Sequence, residues 1–525
     1  MKNLLYIISM AILLAACTND IENDAIQTDI LTLTVGDFPA FGEDAATRAI
    51  GTTDAGGKSA WEAGDQLLVS VTCQGGDPQY AVMSYNGSTW ITTPTLKQTY
   101  ASYTVTAWYA PAYQWSTTND GTLALRDGEQ AGLDECIMAT SNSSPNITFT
   151  SREYSRLRIA STSSTQLSVS LTDFTPAGST TSGSNNYTLT TDSKGNAYLY
   201  GTWTKNSNLQ VTAQYSASAT TPLYNKALSH ASANGQSFAA NAIPTSEQAS
   251  NYNSLGDGSE EYPYVLLNAT QLISLSTKSQ DNQNINEHFK LGADITLTEP
   301  WTPITTVDEH GNGSQFLGTF DGDGHTISGL EFNLSDYYIA GLFGMIGTSG
   351  VVKNVKLKDC NMSVSSPGQI CGGIAGVNSG TIENCHIISG KITSAFDAGG
   401  LAGICWYGDG APRIVACSNS AAITGTYRVG GIVGWGREGS LIGCCNTGTV
   451  TGNSNMTVGG IVGTDYSHLT VCYFSAGNDN GYGTQITNND WSSAITDMNN
   501  ALQEAGYNYQ YEMGANNLPV IKSTN

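Results

Sequence analysis

The motif Gly-Gly-aliphatic-x-Gly recurs through the second half of this chain, and it constrains the fold more than any other feature. It appears in short form at Gly341–Gly344, then in full at Gly372–Gly376, Gly399–Gly403, Gly430–Gly434 and Gly459–Gly463. The closing glycines lie 32, 27, 31 and 29 residues apart. A period of this size marks a solenoid, in which each repeat buries its apolar face only against its neighbours. The segments between the glycines are short and β-branched, as in Thr381–Ile387, Lys391–Thr393 and Thr449–Thr451. Short strands joined by Gly, Asn and Ser turns, one coil per repeat, predict a right-handed parallel β-helix.

The first half has no such period. Alternating runs at Leu31–Val35, Gln66–Val71, Tyr103–Trp108, Leu167–Leu171 and Leu209–Ala213 are separated by turn clusters such as Asn119–Gly121. That is the pattern of antiparallel sandwiches. The 525 residues are too many for one core, so several domains are expected. The chain reads as all-β: a Greek-key sandwich over 31–144, a second over 145–241, a polar linker over 242–256, and the β-helix over 257–521. Asn268 is a good N-cap for a short helix at the mouth of the β-helix. Ala494, Ile495, Met498 and Leu502 sit at helical spacing near the far end, so short helices are expected to cap the coil stack.

The N-terminus reads as a targeting segment. Met1–Asn3 is a basic n-region, and Leu4–Ala16 is an apolar stretch too short for a stable span. It ends in Leu14-Ala15-Ala16-Cys17, which resembles a bacterial lipobox, so Cys17 is expected to be acylated and to become the mature N-terminus. Residues 18–30 form a tether. Its acidic run Thr18–Asp24 resembles the export signals of Bacteroidetes surface lipoproteins. These features predict a surface-exposed lipoprotein held in the outer membrane by its lipid. Charged residues make up 12% of the chain, about half the usual share, and the net charge is −23. That balance argues against nucleic acid as a partner, because phosphate binding needs clustered Lys and Arg.

Ordered blocks in the first half resemble the fimbrillin family of Bacteroidetes pilins. They are Trp61–Asp65 before a strand, Ala107–Pro111, Leu133–Ala139 and Thr148–Arg158. The resemblance implies a sandwich that assembles with other pilin subunits, and Arg48-Ala49 stands where such pilins are often cut. Residues 257–521 resemble the GLUG-repeat proteins, through the glycine motifs and the entry block Phe316–Ile327. That resemblance implies a surface β-helix and no particular reaction.

Of the eleven cysteines, Cys385, Cys417, Cys444 and Cys472 take equivalent slots in successive repeats, with Val355 in the same slot one repeat earlier. This reads as an inward column of free thiols, with disulfides as the alternative. Catalysis on a β-helix would require acids and bases at matching points of adjacent coils. Glu383, Asp397, Arg413, Arg428 and Arg437 are read as standing at unmatched offsets. Asp321–His325 reads as a tight turn, although Asp321 and Asp323 leave calcium open. No cofactor motif is present. Trp406 and Tyr407 follow Gly403, Trp435 follows Gly434, and Tyr466 follows Gly463. These rings are expected either to line up as a ligand-binding stripe or to cover the core. The sequence therefore points to an adhesin for host protein or glycan, as an accessory or tip subunit of a pilus. The alternatives are a glycan-capturing lipoprotein of a polysaccharide uptake system, then a polysaccharide lyase or hydrolase.

Overall fold

The computed structural model describes residues 29–522, apart from 40–41, 44–57, 59, 100–101, 119, 150–151, 218–219, 280–282, 307–312, 335–337, 407–410, 438, 454–456, 465–467, 489 and 515. The first sandwich is built on a five-stranded antiparallel sheet, in the order Ile137–Asn142, Tyr103–Tyr109, Gln66–Cys73, Gln79–Tyr85, Trp90–Thr93. Along Tyr103–Tyr109 every second side chain is buried, as one-sided strands require. Leu31, Leu33, Ile147, Phe149 and Tyr154 complete its core, so chain on both sides of residue 145 belongs to this unit. Trp61 packs edge-on against Phe38, Trp90 and Tyr109, with its indole N–H donated to the Gly36 carbonyl. Glu135 and Arg152 form a buried ion pair at 2.8 Å, which ties together two of the blocks that carry the fimbrillin resemblance.

The second sandwich curls one sheet around its own core, with Gln166–Pro176 pairing to Gly183–Thr190, Asn196–Trp203 and Asn208–Gln214. Residues 242–256, read from the sequence as a structureless linker, are packed instead. Ala242, Ala249 and Leu255 are buried in the second core together with Val265, which lies on the first strand of the β-helix. The Val265 N–H is donated to the Leu255 carbonyl, so the segment lies against the strand that follows it. Small apolar residues spaced along a polar stretch were enough to seat it.

The β-helix consists of two eight-stranded and three five-stranded parallel ladders. Like positions of successive coils stack inside it. One inward column runs Phe320, Val352, Ile382, Ile414, Leu441 and Leu469. Another runs Phe332, Met362, Ile392, Ile423 and Val450. A third passes from Ile387 to Asn419, Asn446 and Phe474. The two asparagines are fully buried, and Asn419 Nδ2 donates to Asn446 Oδ1 at 2.8 Å, so each finds its partner one coil away.

The glycine motif is explained by contact distances. A Cβ on the first glycine would stand 2.1 Å from the Ala375 carbonyl at Gly372 and 1.9 Å from the Ala402 carbonyl at Gly399. On the second glycine it would meet the Gly400 carbonyl at 2.3 Å from Gly373 and the Gly431 carbonyl at 2.1 Å from Gly400. The closing glycine faces outward, where a Cβ on Gly376 would strike Ile339 at 2.1 Å and one on Gly403 would strike Ile370 at 2.4 Å. Each glycine therefore clears a different neighbour. Together they fold the coil sharply enough that outward side chains of two strands meet, and Ile339, Ile370, Val377 and Ile404 form a small apolar cluster outside the main core.

The cysteine column is present, and all four thiols are buried and free. The residue before each slot, Asn354, Asn384, Ala416, Gly443 and Val471, has positive φ, so the column marks one repeated turn. α1 (Ala269–Lys278) is capped by Asn268, whose side chain accepts from the Gln271 N–H. It sends Leu272 and Leu275 into the main core, closing that end of the stack. α2 (Ser492–Glu504) does not cap the other end. Ala494, Met498 and Leu502 pack on Val415, Ala416, Cys445 and Tyr511 along the side wall. That flank is low, since a Cβ on Gly443 would lie only 2.9 Å from Leu502. The far end carries Phe474 in the core and Asn480, whose amide donates to the Val462 and Gly463 carbonyls.

Candidate binding site on the β-helix

Strand Ala402–Cys405 pairs with Val433–Gly436 so that Ile404 lies beside Trp435 and Cys405 beside Gly436. Trp406 therefore comes level with Arg437, two residues on from the Ile404–Trp435 pair. The backbone confirms the placement, since the Arg437 N–H is donated to the Cys405 carbonyl. The predicted stripe thus differs from expectation: Trp406 and Trp435 occupy neighbouring outward columns. Both face outward, their rings meet edge-on with centroids 5.9 Å apart, and Trp406 is 40% exposed. Trp435 is half-buried against the apolar cluster of Ile404 and Val377.

Two arginines organise the rings. The Arg437 guanidinium lies 4.7 Å from the Trp406 centroid and 5.8 Å from that of Trp435, and no carboxylate among the described residues pairs with it. The Arg428 guanidinium lies 3.6 Å from the Trp435 centroid and 4.9 Å from that of Tyr427. Arg428 also grips Asp397 through two bonds, at 2.8 and 2.5 Å, and Asp397 is fully buried. Burial pushes the Asp397 carboxyl up, and the Arg428 hydrogen bonds and charge pull it back. Next to them Phe396 and Tyr427 stack at 4.6 Å, nearly parallel. A guanidinium fixed by a buried carboxylate holds an indole at a set angle, and a second, unpaired guanidinium stands over the exposed ring. Such a surface can pack the apolar face of a sugar ring and bond its hydroxyls or acidic groups.

Asp397 and Arg428, read from the sequence as misaligned, are in fact aligned. Each stands two residues before the paired glycines of its motif, and Ala398 pairs with Val429. A second charged column was overlooked in the same way: Lys290, Asp321, Lys353 and Glu383 are successive partners, alternating in sign. Counting from the first glycine of each motif would have exposed the first pair. Of the other residues singled out from sequence, Cys17, Arg48, Ala49, Tyr407 and Tyr466 lie outside the described residues. Asp321 and Asp323 both engage protein partners. Asp321 accepts from the Asn354 amide and pairs with Lys353, and Asp323 accepts from Ser163 of the second sandwich at 2.7 Å.

One polar row has the connectivity of a nucleophile, a base and an orienting group. Ser418 Oγ lies 2.8 Å from His386 Nδ1, His386 Nε2 lies 2.9 Å from Asn384 Oδ1, and Asn384 donates on to Asn354. Burial and the nearby Lys356 charge push the His386 imidazole down to about 3. Asn384 also brings no charge to support an imidazolium. A ring so reluctant to take a proton is a poor general base at neutral pH, and the row reads as a ladder that satisfies a buried imidazole.

No family profile matches the chain. A stretch of 156 residues is 34% identical to halomucin of Haloquadratum walsbyi, covering 28% of this chain and 2% of that protein. A stretch of 139 residues is 32% identical to a protein of Evansella cellulosilytica named provisionally as a Gly-rich membrane protein, covering 25% of this chain and 15% of that one. The chain thus spans only a small part of the length of these relatives. Two solved Bacteroides structures, named provisionally as cell adhesion proteins, also align. The one from B. uniformis covers 36% of this chain and 89% of its own at 14% identity, and the one from B. fragilis covers 41% and 93% at 11%, both with a TM-score of 0.24. Among the described residues no helix is long and apolar enough to cross a membrane.

Proposed function

We propose that the chain is a cell-surface adhesin whose β-helix presents Trp406, Trp435 and Arg437 to a glycan or to a glycosylated partner. The observation that carries this reading is the exposed Trp406 ring under a guanidinium that pairs with no carboxylate among the described residues. A ring needed only for the core would be covered, and its arginine would face an acid. The Leu14–Cys17 lipobox supports attachment to the outer membrane, and the second sandwich passes through a packed segment into the β-helix. A subunit of that shape suits the end of a fibre or a free-standing position on the surface, because its second sandwich is packed against the first strand of the β-helix. Capture of glycans for uptake would use the same face.

The deciding experiment is a glycan array and cell-binding assay with the Trp406→Ala and Arg437→Ala variants. Each should lose at least about tenfold in affinity, as central aromatic and arginine contacts do, with an unchanged melting temperature. Unchanged binding by both would remove this face from the function. Trp435→Ala should also unfold more readily, by about 2–3 kcal/mol, because Trp435 packs on Ile404 and under Arg428.

A further inference from the structure

A second site lies where three parts of the chain meet. A cleft of about 800 Å³ is walled by the β-helix, by the turn at Ser193–Lys194 of the second sandwich, and by the C-terminal hairpin formed by Tyr511–Met513 and Pro519–Ile521. Its volume falls within the range typical of small-molecule sites. None of its lining residues belongs to the Trp406 cluster.

The charge of the cleft runs against the composition. The chain has 21 Lys and Arg against 44 Asp and Glu, so an average patch of its surface is acidic. Yet Lys194, Lys356 and Lys522, from three distant points of the sequence, all line this cleft. Its one carboxylate, Asp323, is turned to Ser163 and lies in the field of the half-buried Lys290. Lys356 donates to the Gly324 carbonyl at 3.0 Å, and no carboxylate among the described residues pairs with any of the three lysines. The rest of the lining mixes polar groups, among them Asn354, Ser420 and Asn516, with the apolar side chains of Ile388, Leu518 and Val520, while the Ser418 and Tyr509 hydroxyls are bonded to His386 and Glu383.

We propose that this cleft binds an acidic oligosaccharide, with Lys194, Lys356 and Lys522 contacting its carboxylates or sulfates and the mixed polar and apolar wall contacting its hydroxyls and ring faces. A concave site with an excess of one sign of charge concentrates ligands of the other sign even on a protein of opposite net charge. Because the walls come from the second sandwich, the β-helix and the terminal hairpin, the ligand touches all three, beside the existing bonds from Ser163 to Asp323 and from Lys290 to the Ser163 carbonyl.

The test is calorimetric titration of the full chain with three probes: an oligogalacturonate for carboxylates, a heparin-derived oligosaccharide for sulfates, and a neutral maltohexaose. One or both acidic probes should bind, and the neutral one at least about tenfold more weakly. Affinity should fall as salt rises from about 50 to 300 mM, since exposed charges are screened. Lys194→Met with Lys522→Met, two exposed positions that no fold contact requires, should weaken the acidic probe about tenfold or more, and adding Lys356→Met should weaken it further. Trp406→Ala should leave this binding intact, which separates the site from the adhesive face. Equal binding of neutral and acidic probes overturns the proposal. So does wild-type affinity in the lysine variants, or preference for a single-stranded DNA oligomer over both acidic sugars.

Discussion

The sandwiches and the β-helix bury similar side chains by opposite means. In Tyr103–Tyr109 the neighbours of a buried residue come from strands 28 to 38 residues away, in an order that no period announces. In the β-helix the neighbour of Ile382 is Val352 on one side and Ile414 on the other, about one repeat away in each direction. Their buried ion pairs show the same contrast. Glu135 and Arg152 lie 17 positions apart and are joined by loop geometry, whereas Asp397 and Arg428 directly precede the strand partners Ala398 and Val429 of adjacent coils. A periodic fold turns sequence spacing into contact. An antiparallel sandwich does not, so its contacts must be found by tertiary assembly.

The contrast is broken or sharpened most strongly at glycine. Gly399→Ala places a Cβ 1.9 Å from the Ala402 carbonyl, and the backbone there cannot yield without disturbing the next coil. We expect a loss of about 3 kcal/mol or more in urea unfolding, or no folded β-helix. Gly183→Ala in the second sandwich meets nothing within 4 Å and should change stability by less than about 0.5 kcal/mol. Equal effects would deny that the β-helix is the less forgiving of the two.

The next effect is in pH. His386 is buried in the β-helix and its folded-state value is lowered to about 3 from 6.5, so it stays neutral in the fold while the unfolded chain takes up a proton below about 6.5. The stability from this group is complete above that pH and is lost as pH falls toward 3, at up to about 1.4 kcal/mol per unit. His386→Gln should flatten that slope in the β-helix transition. Acid melts of both variants between about pH 7 and 4 decide the point.

The smallest effect is at the thiols. Cys417→Ala should cost about 1 kcal/mol, the loss of one small buried group between Cys385 and Cys444. Burial pushes the Cys360 thiol up to about 12 and the sandwich Cys136 thiol up to about 11. Thiol reagents should therefore modify either domain only as it unfolds, and time-resolved labelling would show which opens first. Fast labelling of the folded β-helix would contradict a closed column of thiols.

The β-helix, its glycine contacts, its cysteine column and the α1 cap were legible because each recurs at one-coil spacing or rests on local chemistry, as with Asn268. The lateral seat of α2 was not, since helical spacing shows which face is apolar and not which surface it meets. The binding face was half legible: Trp406 and Trp435 stood out as bulky rings after small strands, but their offset columns and the Arg437 bracket depend on strand register. Asp397 and Arg428 could have been aligned by hand from the motif.

What the sequence alone determined is everything that obeys its period: solenoid architecture, the inward columns, and the points where only glycine fits. Those follow because each coil's contacts are copied by the next. What only the tertiary structure decided is whatever joins non-repeating pieces: the packing of 242–256, the Glu135–Arg152 pair, and the meeting of Lys194, Lys356 and Lys522 in one cleft. No local propensity encodes such meetings. They arise when separate apolar faces are buried together and carry their polar neighbours with them.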